Sequence, residues 1–305
     1  MRLVAALTAF LLVAMRAALA ATPHVSIVVA DSGPAYQEAA QAAAQELAAR
    51  AGVNVTQADE FERAPRQDVA LVIALGTRAL HAALASGTGA PIVATLIPRS
   101  AYESAVRNGQ RSPGGRAVTA VYLDQPVVRQ LNLVRIVVPG KTRVGVLASP
   151  ASEEIVRRVE SAARERGLSV VGESVANSRD LSAALSRVLG GSELLLALPD
   201  ASIFNAGTIH NILLSALRAQ QPLFGFSEAY VRAGAVAAVY SMPRQVGRQA
   251  GEIAARALAG APLPPPQFPR AFSVSVNYTV ARALGIALEE EPAIAARLQR
   301  MEREP

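Results

Sequence analysis

Two short stretches hold most of the residues able to do chemistry. Asp200 and Ser202 follow Pro199 at the end of an apolar run over 194–198, and Phe226, Ser227 and Glu228 close a second run that begins at Leu223. A carboxylate beside hydroxyls in such a place can pair with a cation, cap a helix or serve a nucleophile. The nucleophile reading fails on its partners. Gly225-Phe226-Ser227-Glu228-Ala229 has the outline of a nucleophile elbow, but its second glycine is Ala229 and no histidine follows it. His24, His81 and His210 lack metal-ligand spacing, and no cysteine supplies a thiolate. Gly87, Gly89 and Gly114-Gly115 form neither a phosphate loop nor a dinucleotide fingerprint. No cofactor and no catalytic residue is expected, and what remains is noncovalent recognition.

The same residue types recur at matching places. Ser32 follows a strand-like run at 24–30, Thr77 follows 68–75, and Ser149 and Ser152 follow 144–148. Hydroxyls and helix-start amides suit an anionic group, while Asp200 or Glu228 suits a cationic one. Phe226 offers an apolar face, or simply core. Each polar residue also fits as an ordinary helix cap. Asp200 in particular either meets a ligand ammonium or caps the helix that leads to His210, with Glu228 the next candidate for the ammonium.

The elements that must position these residues alternate. Apolar runs at 24–30, 68–75, 91–96, 144–148, 194–198 and 223–226 lack polar alternation, as strands buried on both faces do. Between them lie helix-period segments over 35–50, 78–84, 125–138, 153–166, 180–189 and 209–217, and another helix follows over 244–258. Strand–helix alternation of this kind predicts parallel sheets covered on both faces, here twice over. Ligands of open α/β sheets bind outside the carboxyl ends of the strands, where the hydroxyls and carboxylates above fall. The polar stretch 107–116 reads as a loop, 261–269 with its prolines as a stiff extended linker, and 272–276 as a strand with one wet face. The tail from Ala281 reads as helix broken at Pro292, with fraying last residues.

Five segments in this order resemble the substrate-binding proteins of ABC transporters, a family whose characterised members include binders of aromatic amino acids. They are PGKTRVGVLASPAS, LPDASIF, GFSEAYVRAGAVAAVYS, QVGRQAGEIAARALAG and FSVSVNYTVARALGI. The resemblance implies an α/β type I periplasmic binding fold of two Rossmann-like lobes with parallel sheets joined by a multi-stranded hinge. On that scheme 21–122 with 241–271 makes lobe 1, and 123–240 with 272–305 makes lobe 2. It also implies a function in binding a small ligand, an amino acid or similar zwitterion, trapped between the lobes by hinge closure and recognised by an ABC permease of the inner membrane. A sensory protein presenting its closed form to a receptor kinase is the alternative. The corner Gly76-Thr77-Arg78 departs from the better-known members, because Arg78 adds bulk and charge.

Composition agrees with a small-molecule binder. The 305 residues exceed one ordinary core and fit two lobes. A net charge of +6 comes almost wholly from scattered arginines, and aromatics make up only 4%, so the stacking platforms of a nucleic-acid binder are missing. Arg2, the apolar run over 3–15 and Ala18-Leu19-Ala20 make 1–20 an expected export signal cleaved near Ala20. The expected location is the periplasm, as a monomer.

Overall fold

The computed structural model describes residues 22–51, 53–59, 69–109 and 116–303. The expected export signal and most of the expected loop over 107–116 lie outside these residues. The chain divides into two compact units, residues 1–121 with 247–267 and residues 122–246 with 268–305.

Unit 1 is built from β1 (His24–Val29), α1 (Pro34–Ala51), β2 (Asn54–Asp59), β3 (Leu71–Leu75), α2 (Thr77–Ala85), β4 (Ile92–Ile97), α3 (Arg99–Gly109) and β5 (Val118–Tyr122). Its five strands lie in the order β2-β1-β3-β4-β5, with β1 parallel to β2 and β3, and β3 parallel to β4. Every residue of β3 and β4 is buried, which explains why neither strand alternates in sequence. The helix α3 takes in the start of the expected loop at Arg107. The proline-bearing segment before Phe268 lies extended along β5: Thr119 Oγ1 donates to the Pro264 carbonyl (2.7 Å) and the Gln267 N–H to the Ala120 carbonyl (2.9 Å). Proline has no N–H to give a ladder, so the segment is held through its carbonyls and through Gln267.

Unit 2 contains α4 (Val127–Val137), β6 (Arg143–Ala148), α5 (Glu153–Arg164), β7 (Ser169–Ser174), α6 (Leu181–Gly191), β8 (Leu194–Leu196), α7 (Ile209–Arg218), β9 (Leu223–Gly225), α8 (Glu228–Ala233) and β10 (Ala237–Tyr240). After α9 (Pro243–Leu258), whose residues from Gly247 on belong to unit 1, it is completed by β11 (Ser273–Val276), α10 (Tyr278–Ala283) and α11 (Glu291–Arg303). The six strands run β11-β10-β9-β8-β6-β7 and are parallel except for β10 with β11. Leu194 and Leu196 enter one apolar cluster and Leu195 the other, so β8 is buried on both faces. The antiparallel β11 instead buries Val274 and Val276 and leaves Ser273 and Ser275 partly exposed, as its alternation predicts.

One expectation about the tail is corrected. Pro292 does not break a helix; it occupies the second position of α11, where a backbone N–H has no partner to lose. Ile294 and Leu298 of α11 are buried and Glu302 pairs with Arg129, while the last two residues, where fraying is expected, lie outside the described residues. Among the described residues no helix is long and apolar enough to cross a membrane.

Candidate functional site

Strand order gives each unit a switch point. In unit 1 the chain runs from β1 outward to β2, then returns past β1 to β3, so connections leave β1 and β3 in opposite directions. In unit 2 the same reversal falls between β6 and β8. At such a point the loops beyond the carboxyl ends part, and open α/β sheets bind their ligands there. The candidates Ser32 and Thr77 follow β1 and β3, while Ser149 and the Asp200–Ser202 pair follow β6 and β8. Phe226, Ser227 and Glu228 follow β9, the next strand along.

In unit 1 the corner is set by Gly76. With φ of 92°, it caps α2, and a Cβ there would lie 2.8 Å from both the Ala30 Cβ and the Tyr36 ring. Only glycine fits the backbone and the space. Its N–H donates to the Thr95 carbonyl (2.8 Å), and no side chain caps α2. Asp31 Oδ1 accepts from the Gly33 N–H (2.8 Å), which turns the chain into α1 and leaves Ser32 exposed. Arg78 joins the two loops: its Nη2 donates to the Ala30 carbonyl and stands 3.5 Å from Asp31 Oδ2.

In unit 2 the join is made by Asp200. Its Oδ2 accepts from the Ser149 N–H (2.8 Å), and its Oδ1 accepts from both the N–H (3.0 Å) and the hydroxyl (2.5 Å) of Ser202. Burial pushes the carboxyl up, but donation from Ser202, Ser149 and Ser152 outweighs it and holds the group down at about 2, against an ordinary 3.8. A carboxylate has about four acceptor sites, and these donors take them, so Asp200 holds the two loops in register. It does not cap α7, which starts at Ile209 with Thr208 at its cap. Instead its carbonyl accepts from the Ile203 and Phe204 N–H groups in a single closed turn.

A folded-state value below the unfolded one stabilises the native state above the unfolded value and is lost as pH falls through the native one. We expect Asp200→Asn to cost about 2 kcal/mol at neutral pH, because an amide N–H₂ then faces the donors of Ser149 and Ser202. The variant should also lose the part of the wild-type acid limb that lies between 3.8 and about 2. Urea unfolding at neutral pH and at the foot of that window measures both, and equal stability of the two proteins would refute the role.

Beside this network stands an aromatic pair. Phe226 and Tyr230 have ring centroids 4.4 Å apart, tilted by 43°, and the Tyr230 hydroxyl donates to the Phe204 carbonyl (3.0 Å) in the loop that carries Asp200. Burial raises the Tyr230 phenol above its ordinary value. Tyr230 was not among the candidates read from sequence, although its spacing of four from Phe226 at a helix start was the available signal. Ser227 caps the short α8 without a side-chain bond, and Glu228 pairs with Arg232 at 2.8 Å, both more than half exposed. Tyr240 is turned to Ser275, with 2.9 Å between hydroxyls. Among the described residues no group of three or more histidines, carboxylates or cysteines is placed to hold a metal.

Comparison with known proteins identifies the family. The model of a family described as ABC transporter substrate binding protein matches residues 45–298. The chain belongs to that family. A tyrosine-binding protein of Clostridioides difficile is 24% identical over 193 residues, which span 62% of this chain and 55% of that relative. The chain thus matches little more than half the length of that curated protein. Among solved structures, a ligand-free, open substrate binding protein with adhesive properties from Clostridium difficile is similar at a TM-score of 0.72 and 18% identity, over 88% of this chain and 97% of the other. An ABC domain in complex with L-Trp from Streptococcus pneumonia is similar at 0.61 and 18%, over 91% and 98%. A conserved domain protein of Vibrio cholerae is similar at 0.63 and 22%, over 90% and 98%. These likenesses fix the fold as that of the periplasmic-binding-protein-like substrate binders.

Proposed function

We propose that this substrate-binding protein serves an ABC import system outside the cytoplasm, takes an amino acid with an aromatic side chain, and presents its ligand-bound form to a membrane permease. The observation that carries the reading is the Phe226–Tyr230 ring pair, tied through Phe204 to the serine–aspartate network at the unit 2 switch point. An apolar face beside a few fixed polar groups is the make-up of a small-molecule site. The named tyrosine and L-Trp binders among similar proteins support the ligand class.

In this reading the rings of Phe226 and Tyr230 face the ligand's ring, and Ser227 with Glu228 takes its ammonium group. The exposed Glu228–Arg232 pair exchanges partners at little cost. Asp200, Ser149 and Ser202 form the frame of this unit 2 edge, while Ser32 and Thr77 stand at the corresponding edge of unit 1. We expect L-tyrosine or L-tryptophan to bind in titration calorimetry, with Phe226→Ala weakening the complex at least ~10-fold, about 1.4 kcal/mol, at unchanged circular dichroism. Absence of heat with both amino acids would refute the proposal.

A further inference from the structure

The outer strand of the unit 2 sheet, β7, has none of the usual protections of an edge. Its residues, SVVGES over Ser169–Ser174, include no lysine and no proline, and its pairing with β6 runs without a bulge from Ser169 to Ser174. Its one charge, Glu173, is neutralised by Arg187 at 2.8 Å. The Ser169 N–H donates to the Thr142 carbonyl and the Val175 N–H to the Ala148 carbonyl, both at 2.9 Å. A parallel ladder engages every second residue of a strand, so the N–H and C=O groups of Val170, Gly172 and Ser174 point away from β6 and have no strand partner among the described residues. Gly172 sits at the middle of that row. Its surroundings do not require glycine, since a Cβ there would meet Val146 Cγ2 at 3.5 Å and Val156 Cγ1 at 3.9 Å, ordinary contacts. A glycine inside a strand marks, among other things, the close approach of another backbone. Between β7 and α5 lies an open groove of about 510 Å³, with Val146, Val156 and Val170 in its lining.

The helix beside the groove carries a matching pattern. Glu153, Arg157, Glu160 and Arg164 follow one another at intervals of four, three and four, which sets them in one stripe along α5, and all of them are exposed. Glu153, Arg157 and Glu160 line the groove. The signs alternate, so the stripe is complementary to itself read backwards: in an antiparallel pair Glu153 meets Arg164 and Arg157 meets Glu160, each twice. The pairs that Arg157 makes within its own helix, with Glu153 (3.8 Å) and Glu154 (2.6 Å), are more than half exposed and exchange at little cost.

We propose that the β7 edge and the α5 stripe of unit 2 form an interface for a second copy of this chain. The two β7 strands pair antiparallel about a two-fold axis at Gly172, with Val170 of each copy opposite Ser174 of the other, and join the two sheets into one. Main-chain hydrogen bonds and the valines of the two grooves supply the attraction, and the charged stripes set the register. A self-complementary contact of this kind closes as a dimer. The interface is independent of which ligand the protein takes. Sedimentation velocity of the whole protein should show wild type passing from monomer to dimer as its concentration rises through the micromolar range. Arg157→Glu and Glu160→Arg, each alone, set like charges opposite one another and should weaken the dimer at least ~10-fold. An equimolar mixture of the two single variants, and the protein that carries both changes, should dimerise as wild type does, because opposite charges face again. In hydrogen exchange the amides of Val170, Gly172 and Ser174 should slow on dimerisation, whereas those of Val171 and Glu173 are already held by β6. A chain that stays single, as the sequence leads one to expect, a dimer that neither single variant weakens, or a mixture that stays monomeric would each overturn the proposal.

Discussion

Gly247→Ala should destabilise unit 1 by at least ~3 kcal/mol, although alanine is the better helix former by about 1 kcal/mol. A Cβ on Gly247 would lie 2.2 Å from the Ala39 carbonyl oxygen and 2.8 Å from the Ala39 C and Cα atoms. Backbone of α1 fills the space, so no rotamer relieves the clash. One turn on, Gly251 is held in the same manner, its Cβ direction meeting the Ala43 carbonyl oxygen at 2.8 Å. Parting the two helices would uncover Ala39, Ala40, Ala43, Leu47, Ala250 and Ala254, all fully buried. Overpacking of a rigid contact typically costs 1–3 kcal/mol and occasionally more, and this one spreads along two helices. Urea unfolding followed by far-ultraviolet circular dichroism is the measurement. Ala39→Gly should not rescue the variant, since the obstacle is a carbonyl and not a methyl. A Gly247→Ala protein as stable as wild type would show that α1 and α9 pack otherwise.

Arg129→Ala should cost about 3–5 kcal/mol of unit 2 stability, the usual loss when one partner of a buried ion pair is removed. Arg129 is only 4% exposed and has every edge engaged. Its Nε and Nη2 meet both oxygens of Glu302 (Nη2 to Oε2 2.9 Å), its Nη1 donates to Gln125 Oε1 (2.7 Å) and the Pro269 carbonyl (3.0 Å), and its guanidinium carbon lies 4.3 Å from the centre of the Phe272 ring. Gln125 in turn donates to Ser241 (2.9 Å), whose hydroxyl donates to the Ala271 carbonyl (2.6 Å). One side chain therefore ties α4 and α11 to the strand-end segments before α9 and β11. The double variant Arg129→Met with Glu302→Leu, which removes both charges and keeps the bulk, should recover most of the loss in chemical denaturation. A loss below about 1 kcal/mol for Arg129→Ala would mean that water already screens the pair.

Much of the fold is legible from the chain because doubly covered parallel strands leave an unmistakable trace. Runs such as LVIAL and IVATLI admit no alternation, and each is followed, after Gly76 or Pro98 alone, by a helix. The placing of Ser32, Thr77, Ser149, Asp200 and Ser202 at carboxyl ends followed from that alternation alone. Other features were not legible, for reasons of physics. The fate of the Asp200 charge depended on Ser149, fifty-one positions away in the chain, and only strand order brings β6 beside β8. The helix α3 was missed because its polar sequence, RSAYESAVRNG, buries only Tyr102 and Ala105 among its described side chains. Pro292 looked like a breaker because the residue type alone does not tell a first turn from an interior.

The division of the chain has a consequence for its synthesis. Neither unit is a continuous stretch: the first lacks residues 247–267 until late, and the second is finished only by residues beyond 268. During vectorial translation the α1 face must wait for α9, and the Arg129 guanidinium, already made, has no counter-charge until Glu302 emerges. Domains generally fold as units, and neither of these two can close its core from its first segment alone.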